Sequence, residues 1–175
     1  MTLTTWLNSV PLSPLAFLAG LVMSAVLAVP LGRWLGMHWF LVFGLGVSLS
    51  LVLAATLTPA ADGQWGPCLR EFAAPVAPAD LIGRSDRVLN TWLFIPLGLF
   101  AGYAGLRRWW VLVLAFCMPF FVEGVQRFVP ALDRRCQFQD LVDNLWGLVL
   151  GALIGVVVGL LVMAVRALGS RSGKR

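Results

Sequence analysis

An all-α membrane protein, a polytopic bundle of about five transmembrane helices with one irregular outer loop, is the fold class this sequence predicts. Three observations predict it. Of the 175 residues 59% are hydrophobic and only 12% charged, against about 25% charged in a soluble domain. Mean hydropathy is +0.88. Five apolar runs reach or approach the roughly 20 residues that a helix needs to cross a bilayer. A chain this short makes one compact domain. The net charge of +5 would point to nucleic acid in a soluble protein. Here it is read against membrane sidedness, and no nucleic-acid partner is expected.

The runs fall at about residues 12–31, 37–57, 90–106, 109–129 and 141–168. The third is short and holds Pro96, so its ends are soft. The fifth is long enough to tilt or protrude. The first ten residues carry no Lys or Arg, which argues against a cleaved signal peptide. This divides the chain into a first helix (1–36), a four-helix domain (37–168) with an outer loop near 58–89, and a basic tail (169–175). Prolines 59, 67, 75 and 78 with Gly63 and Gly66 argue against one long helix in that loop.

Orientation follows from arginine placement. With the N-terminus outside and the C-terminus cytoplasmic, the inner segments hold Arg33, Arg107, Arg108, Arg166, Arg171, Lys174 and Arg175 and no acid. Tight turns carrying only Arg33 or Arg107–Arg108 fit the cytoplasmic side. Trp34, Trp39, Trp109 and Trp110 would form the inner aromatic belt, with Trp92 and Trp146 near the outer one. Cys68 and Cys136 lie in the two outer loops. They can pair in an oxidising compartment; the alternative is two free thiols. Cys117, mid-helix, is expected to pack inside.

Polar residues converge at three outer helix ends. The third helix opens with Asp86 and Asn90. The fourth closes with Glu123, Gln126 and Arg127, and Glu123 and Gln126 share a face. The fifth opens with Asp140, Asp143 and Asn144, just after Arg134 and Arg135. Glu123 lies about two turns inside its helix and needs a partner there, with Arg127 or Arg134 as candidates. Singly, each residue is adequately explained as a dipole-matched acid, an interhelical amide or a snorkelling arginine. Together, the set Asn90, Glu123, Gln126, Arg134, Asp140 and Asn144 reads as an outward-facing binding pocket.

Two further patterns stand out. "DRVLNTW" (86–92) and "DLVDNLW" (140–146) share D-x-V-x-N-x-W, the mark of either a parallel repeat or chance. Gly147, Gly151, Gly155 and Gly159, four apart, make a smooth face for a neighbouring helix, in this chain or in a second copy as a homo-oligomer. His38 has no metal-ligating neighbours in sequence, and no hydrolase elbow, P-loop, zinc or dinucleotide motif is present, so no metal and no cofactor is expected.

"DRVLNTWLFIPLGLF", "EGVQ" and "RRCQFQDLVDNLWGLVLG", in that order, resemble the signature of VanZ-like membrane proteins, over about residues 40–165. The matching residues are Asn90, Phe94, Pro96, Gly98, Glu123, Gln126, Arg134, Asp140, Asn144, Gly147 and Gly151. The resemblance implies a cell-envelope protein related to one that lowers susceptibility to teicoplanin, a lipid-tailed glycopeptide. It implies membrane lipids, a lipid-linked wall precursor or a lipoglycopeptide as partners. Three functions remain open. The first is a non-enzymatic binding or modulating protein in which Arg134 and the amides recognise the ligand. The second is an intramembrane enzyme with Glu123 as general base. The third is a small transporter.

Overall fold

The structure, a computed structural model, describes residues 10–61, 65–71, 73–83 and 85–172, with side chains described through residue 169. The first nine residues, Gly63 and the end of the basic tail (173–175) lie outside the described residues. Five helices follow in order: α1 (Ser13–Leu35), α2 (Trp39–Leu57), α3 (Asp86–Gly105), α4 (Trp109–Phe128) and α5 (Phe138–Ser172). All five are long and apolar enough to span a membrane. Among the described residues there is no strand, only an isolated bridge between Leu69 and Gln137. Single 3-10 turns occupy Pro78–Ile82 and Pro130–Leu132.

Helix α3 is the centre. It has the lowest mean hydropathy of the five spans, 1.3, yet its window is the most enclosed at 44% buried. A helix sheltered by protein rather than lipid tolerates more polar residues. It begins at Asp86, four residues before the sequence-based boundary, because Ser85 caps it: the hydroxyl accepts from Val88 N–H at 3.3 Å. A serine just ahead of an acidic first turn is the signal that fixes this start. Pro96 does not break the helix.

The broadest contact in the molecule joins α3 to α5. A Cβ on Gly147, Gly151 or Gly155 would strike the carbonyls of Thr91, Ile95 or Leu99. Gly98 and Gly102 reciprocate against Leu148 and Ala152. The two helices run parallel and touch backbone to backbone, the small-residue packing that replaces hydrophobic drive inside a bilayer. Of the two neighbours the sequence left open for the glycine face of α5, α3 of the same chain packs against it at Gly147, Gly151 and Gly155. The two D-x-V-x-N-x-W segments, 54 positions apart, come to the same level.

The apolar core is centred on Val52, Phe94, Val122 and Leu148, each 0% exposed. Trp110 packs partly against this core, whereas Trp34, Trp39 and Trp109 are exposed. Helix α1 touches chiefly α2. The contact is again reciprocal, Gly20 facing Ser50 and Gly46 facing Ser24, with each hydroxyl satisfied by its own helix. Cys117, expected inside, is exposed and lines a lateral apolar groove among α1, α2 and α4. Among the described residues all the acids lie toward one end of the bundle, with the long loop. Arg107, Arg108 and Arg166 gather at the other.

Candidate functional site

The last carbonyls of a helix have no partner within it, and two of the sequence-predicted residues supply one. Arg134 donates through Nε to Thr58 O at 2.9 Å and through its terminal nitrogen to Ala55 O at 2.8 Å. Gln126 Nε2 donates to Thr56 O at 3.0 Å. A cation at a helix C-terminus also suits the dipole. Burial lowers the pKa of Arg134 from the ordinary arginine value, with neighbouring Asp140 opposing the shift. Helix α2 therefore belongs to the site. Its contribution is backbone carbonyls, which no residue type announces.

Asp143 is fully enclosed at 0% exposure, yet it is not alone. Arg87 meets it with two hydrogen bonds of 3.0 Å, and Gln139 Nε2 donates at 2.9 Å. The same arginine also reaches Ala74 O in the loop. A two-pronged guanidinium–carboxylate contact is the strong form of this interaction. It is the salt bridge of the described residues, and sequence reasoning did not select it. The signal was a charged pair on the opening turns of the two helices that carry the echoed motif.

Asn90 and Asp140, on these same helices, meet at 2.8 Å between Nδ2 and Oδ1. Asp140 lies within electrostatic reach of Glu123, Asp143, Asp86 and Arg134. Glu123 takes neither of the arginines proposed for it. Its Oε2 accepts the backbone N–H of Gln137 at 2.8 Å, because the turn between α4 and α5 folds back over it. Arg134 is occupied by α2, and Arg127 is exposed. Asn144 is 2% exposed, and its Oδ1 has no hydrogen-bond partner. Asn90, Glu123, Gln126, Arg134, Asp140 and Asn144 thus stand at one end of the bundle. Three acceptors there make no hydrogen bond among the described residues: Asn144 Oδ1, Asp140 Oδ2 and Glu123 Oε1.

The loop closes over this end. Cys68 and Cys136 form a disulfide with Cα atoms 4.8 Å apart. Beside it Leu69 N donates to Cys136 O at 3.1 Å, and Phe138 N to Leu69 O at 3.0 Å. The two echoed tryptophans hold the rest. Trp92 Nε1 donates to Leu81 O at 2.8 Å, and Trp146 Nε1 to Val76 O at 3.0 Å. Far from this site, His38 caps α2, its Nδ1 accepting from Phe40 N–H.

A family model described as VanZ/LLP1 matches residues 64–161, more than half of the chain. The matched stretch runs from the loop through α3 and α4 and well into α5. No curated protein and no solved structure gives a significant match.

Proposed function

This chain belongs to the VanZ/LLP1 family of multi-pass membrane proteins, and from that premise we propose that its capped end recognises an amphiphile at the outer leaflet of the cell envelope. One observation carries the reading: three acceptors at this end, Asn144 Oδ1, Asp140 Oδ2 and Glu123 Oε1, make no hydrogen bond among the described residues. Because Arg134 is spent on α2 carbonyls, the open acceptors call for a ligand that offers donors, while the buried Nε of Arg135, which has no partner among the described residues, leaves one donor for an acceptor on the same ligand. Ammonium groups and sugar hydroxyls qualify, which are the chemistry of an aminolipid, a glycosylated wall precursor or a lipoglycopeptide such as teicoplanin. Binding of such a molecule is the route by which the protein contributes to glycopeptide resistance. Exposed Phe128 and Phe138 end α4 and begin α5 beside Glu123, and offer an apolar flank to a lipid tail. The outward orientation rests on two supports: the disulfide at this end and the acid-free arginine turns at the other.

The test uses the full chain in phosphatidylcholine nanodiscs. The probes are fluorescent teicoplanin, a labelled polyprenyl-linked wall precursor and a labelled phosphatidylethanolamine. At least one binds the wild type, and Asp140→Asn weakens it about tenfold or more, the scale of one charged hydrogen bond. Asp80→Asn, in the exposed loop, leaves binding unchanged. Failure of all three probes on folded wild-type protein, or equal binding by Asp140→Asn, refutes the reading. A second reading, an intramembrane enzyme, is favoured by the way Glu123 is held: one oxygen is fixed by a backbone N–H and the other is free to accept a proton. Under that reading Glu123→Gln abolishes conversion of the labelled precursor while leaving its binding intact.

A further inference from the structure

The opposite end of the bundle holds a second feature, and it arises from unequal helix lengths. Helix α3 stops at Gly105, while α5 runs 35 residues to Ser172. At 1.5 Å per residue that is about 52 Å, well beyond the roughly 30 Å of a hydrocarbon core. Gly159 of α5 lies against Leu106, directly after the end of α3. Everything on α5 past that level overhangs. The overhang, the end of α3 and the α1–α2 turn enclose a cavity of about 810 Å³, within the size range of small-molecule sites.

Its walls are divided by chemistry. Much of the lining is apolar, including Phe40, Leu99, Phe100 and Val162, while Arg107, Arg108 and Arg166 line the cavity as well. Among the described residues no carboxylate lines it. Arg108 also reaches Gly36 O at 3.3 Å, which ties it to the α1–α2 turn. The side chains of Arg107 and Arg166 make no hydrogen bond or ion pair among the described residues. An apolar recess with three cations and no anion is complementary to an anionic amphiphile. Basic recesses between membrane helices take phospholipid headgroups for the same reason.

We propose that this cavity binds one anionic phospholipid, with its phosphodiester among Arg107, Arg108 and Arg166 and the upper part of its chains against the apolar wall. The site is separate from the capped end and belongs to the other leaflet. Lipid there fills the space under α3 and ties the overhang of α5 to the α1–α2 and α3–α4 turns.

The experiment is quantitative lipid retention. Full-length protein is exchanged into nanodiscs of equimolar phosphatidylglycerol and phosphatidylcholine with identical chains. The lipid held per protein is then read by native mass spectrometry. Wild type retains phosphatidylglycerol in preference to phosphatidylcholine. Arg107→Gln with Arg166→Gln lowers that retention about 25-fold, a factor of about five per arginine. The control pair Arg70→Gln with Arg127→Gln removes the same charge at the capped end and leaves retention at the wild-type level. Arg107→Lys with Arg166→Lys keeps most of it, which separates lost charge from lost fold, and circular dichroism checks helicity in every variant. No preference for phosphatidylglycerol in the wild type overturns the proposal, as does equal retention by the Gln pair. Full displacement of the lipid by millimolar inorganic phosphate also overturns it, because the site would then read phosphate alone.

Discussion

At the capped end Asp143 is enclosed but meets Arg87 and Gln139, and Arg134 and Gln126 satisfy the open end of α2. At the opposite end Arg107 and Arg166 stand around a cavity with no carboxylate beside them. Both ends are rich in charge. They differ in whether that charge has been paired within the chain. Buried charge without a partner is costly enough to decide whether a fold forms, so the capped end reads as architecture first, with three acceptors left over. Charge at a membrane surface costs little and can wait for a partner from outside.

That contrast orders the consequences of mutation. The largest loss is expected for Asp143→Ala, about 3 kcal/mol of stability. It strands the Arg87 guanidinium and Gln139, and it is read as a lowered midpoint in thermal unfolding of the detergent-solubilised protein. Asp143→Asn, which keeps one accepting oxygen but sets an amide donor against the remaining N–H, recovers less than half. If both variants unfold like wild type, the capped end is not held by charge pairing. Next is the disulfide. It closes a loop with a sequence separation of 68, so reduction, or Cys68→Ser with Cys136→Ser, costs about 2 kcal/mol, below the chain-entropy ceiling of about 4 kcal/mol for a loop that long because the enclosed helices keep structure in the unfolded reference state. Limited proteolysis should then cut within residues 65–83, and intact resistance under reductant argues against the staple. Trp146→Phe removes one indole donor from the loop and costs about 1 kcal/mol. Hydrogen exchange around Val76 checks it. Smallest is Arg166→Gln in lipid-free detergent, within about 0.5 kcal/mol of wild type. A larger loss would mean that the basic end too is internally paired.

The five helices were legible because apolar runs of membrane-spanning length have few other uses, and the arginine-bearing turns and glycine spacing marked their ends and their tightest contact. The glycines did not say which helix they met. That needed the reciprocal glycines of α3, whose Gly98 and Gly102 the echoed motif brings level with α5. The converging residues were legible as a set but not as pairs. Glu123 was assigned an arginine and took a backbone N–H, because the α4–α5 turn folds over it. Arg134 read as a recognition group and closes α2 instead. Backbone donors and acceptors recur at every position and leave no trace in residue type, so contacts that end on them escape a reading built on side chains. The basic cavity escaped for a related reason. It is a space left by one helix outlasting another, and no motif encodes a difference in length.

The reach of Arg134 and Gln126 into α2 has a bearing on how the family is delimited. The matched segment begins at residue 64, after α2 has ended. A fragment cut there would keep every signature position and yet leave a guanidinium and an amide facing hydrocarbon. What those two groups require upstream is a helix that terminates at their height, whatever its composition. The preceding span is thus at liberty to drift in sequence while its place in the bundle is held fixed.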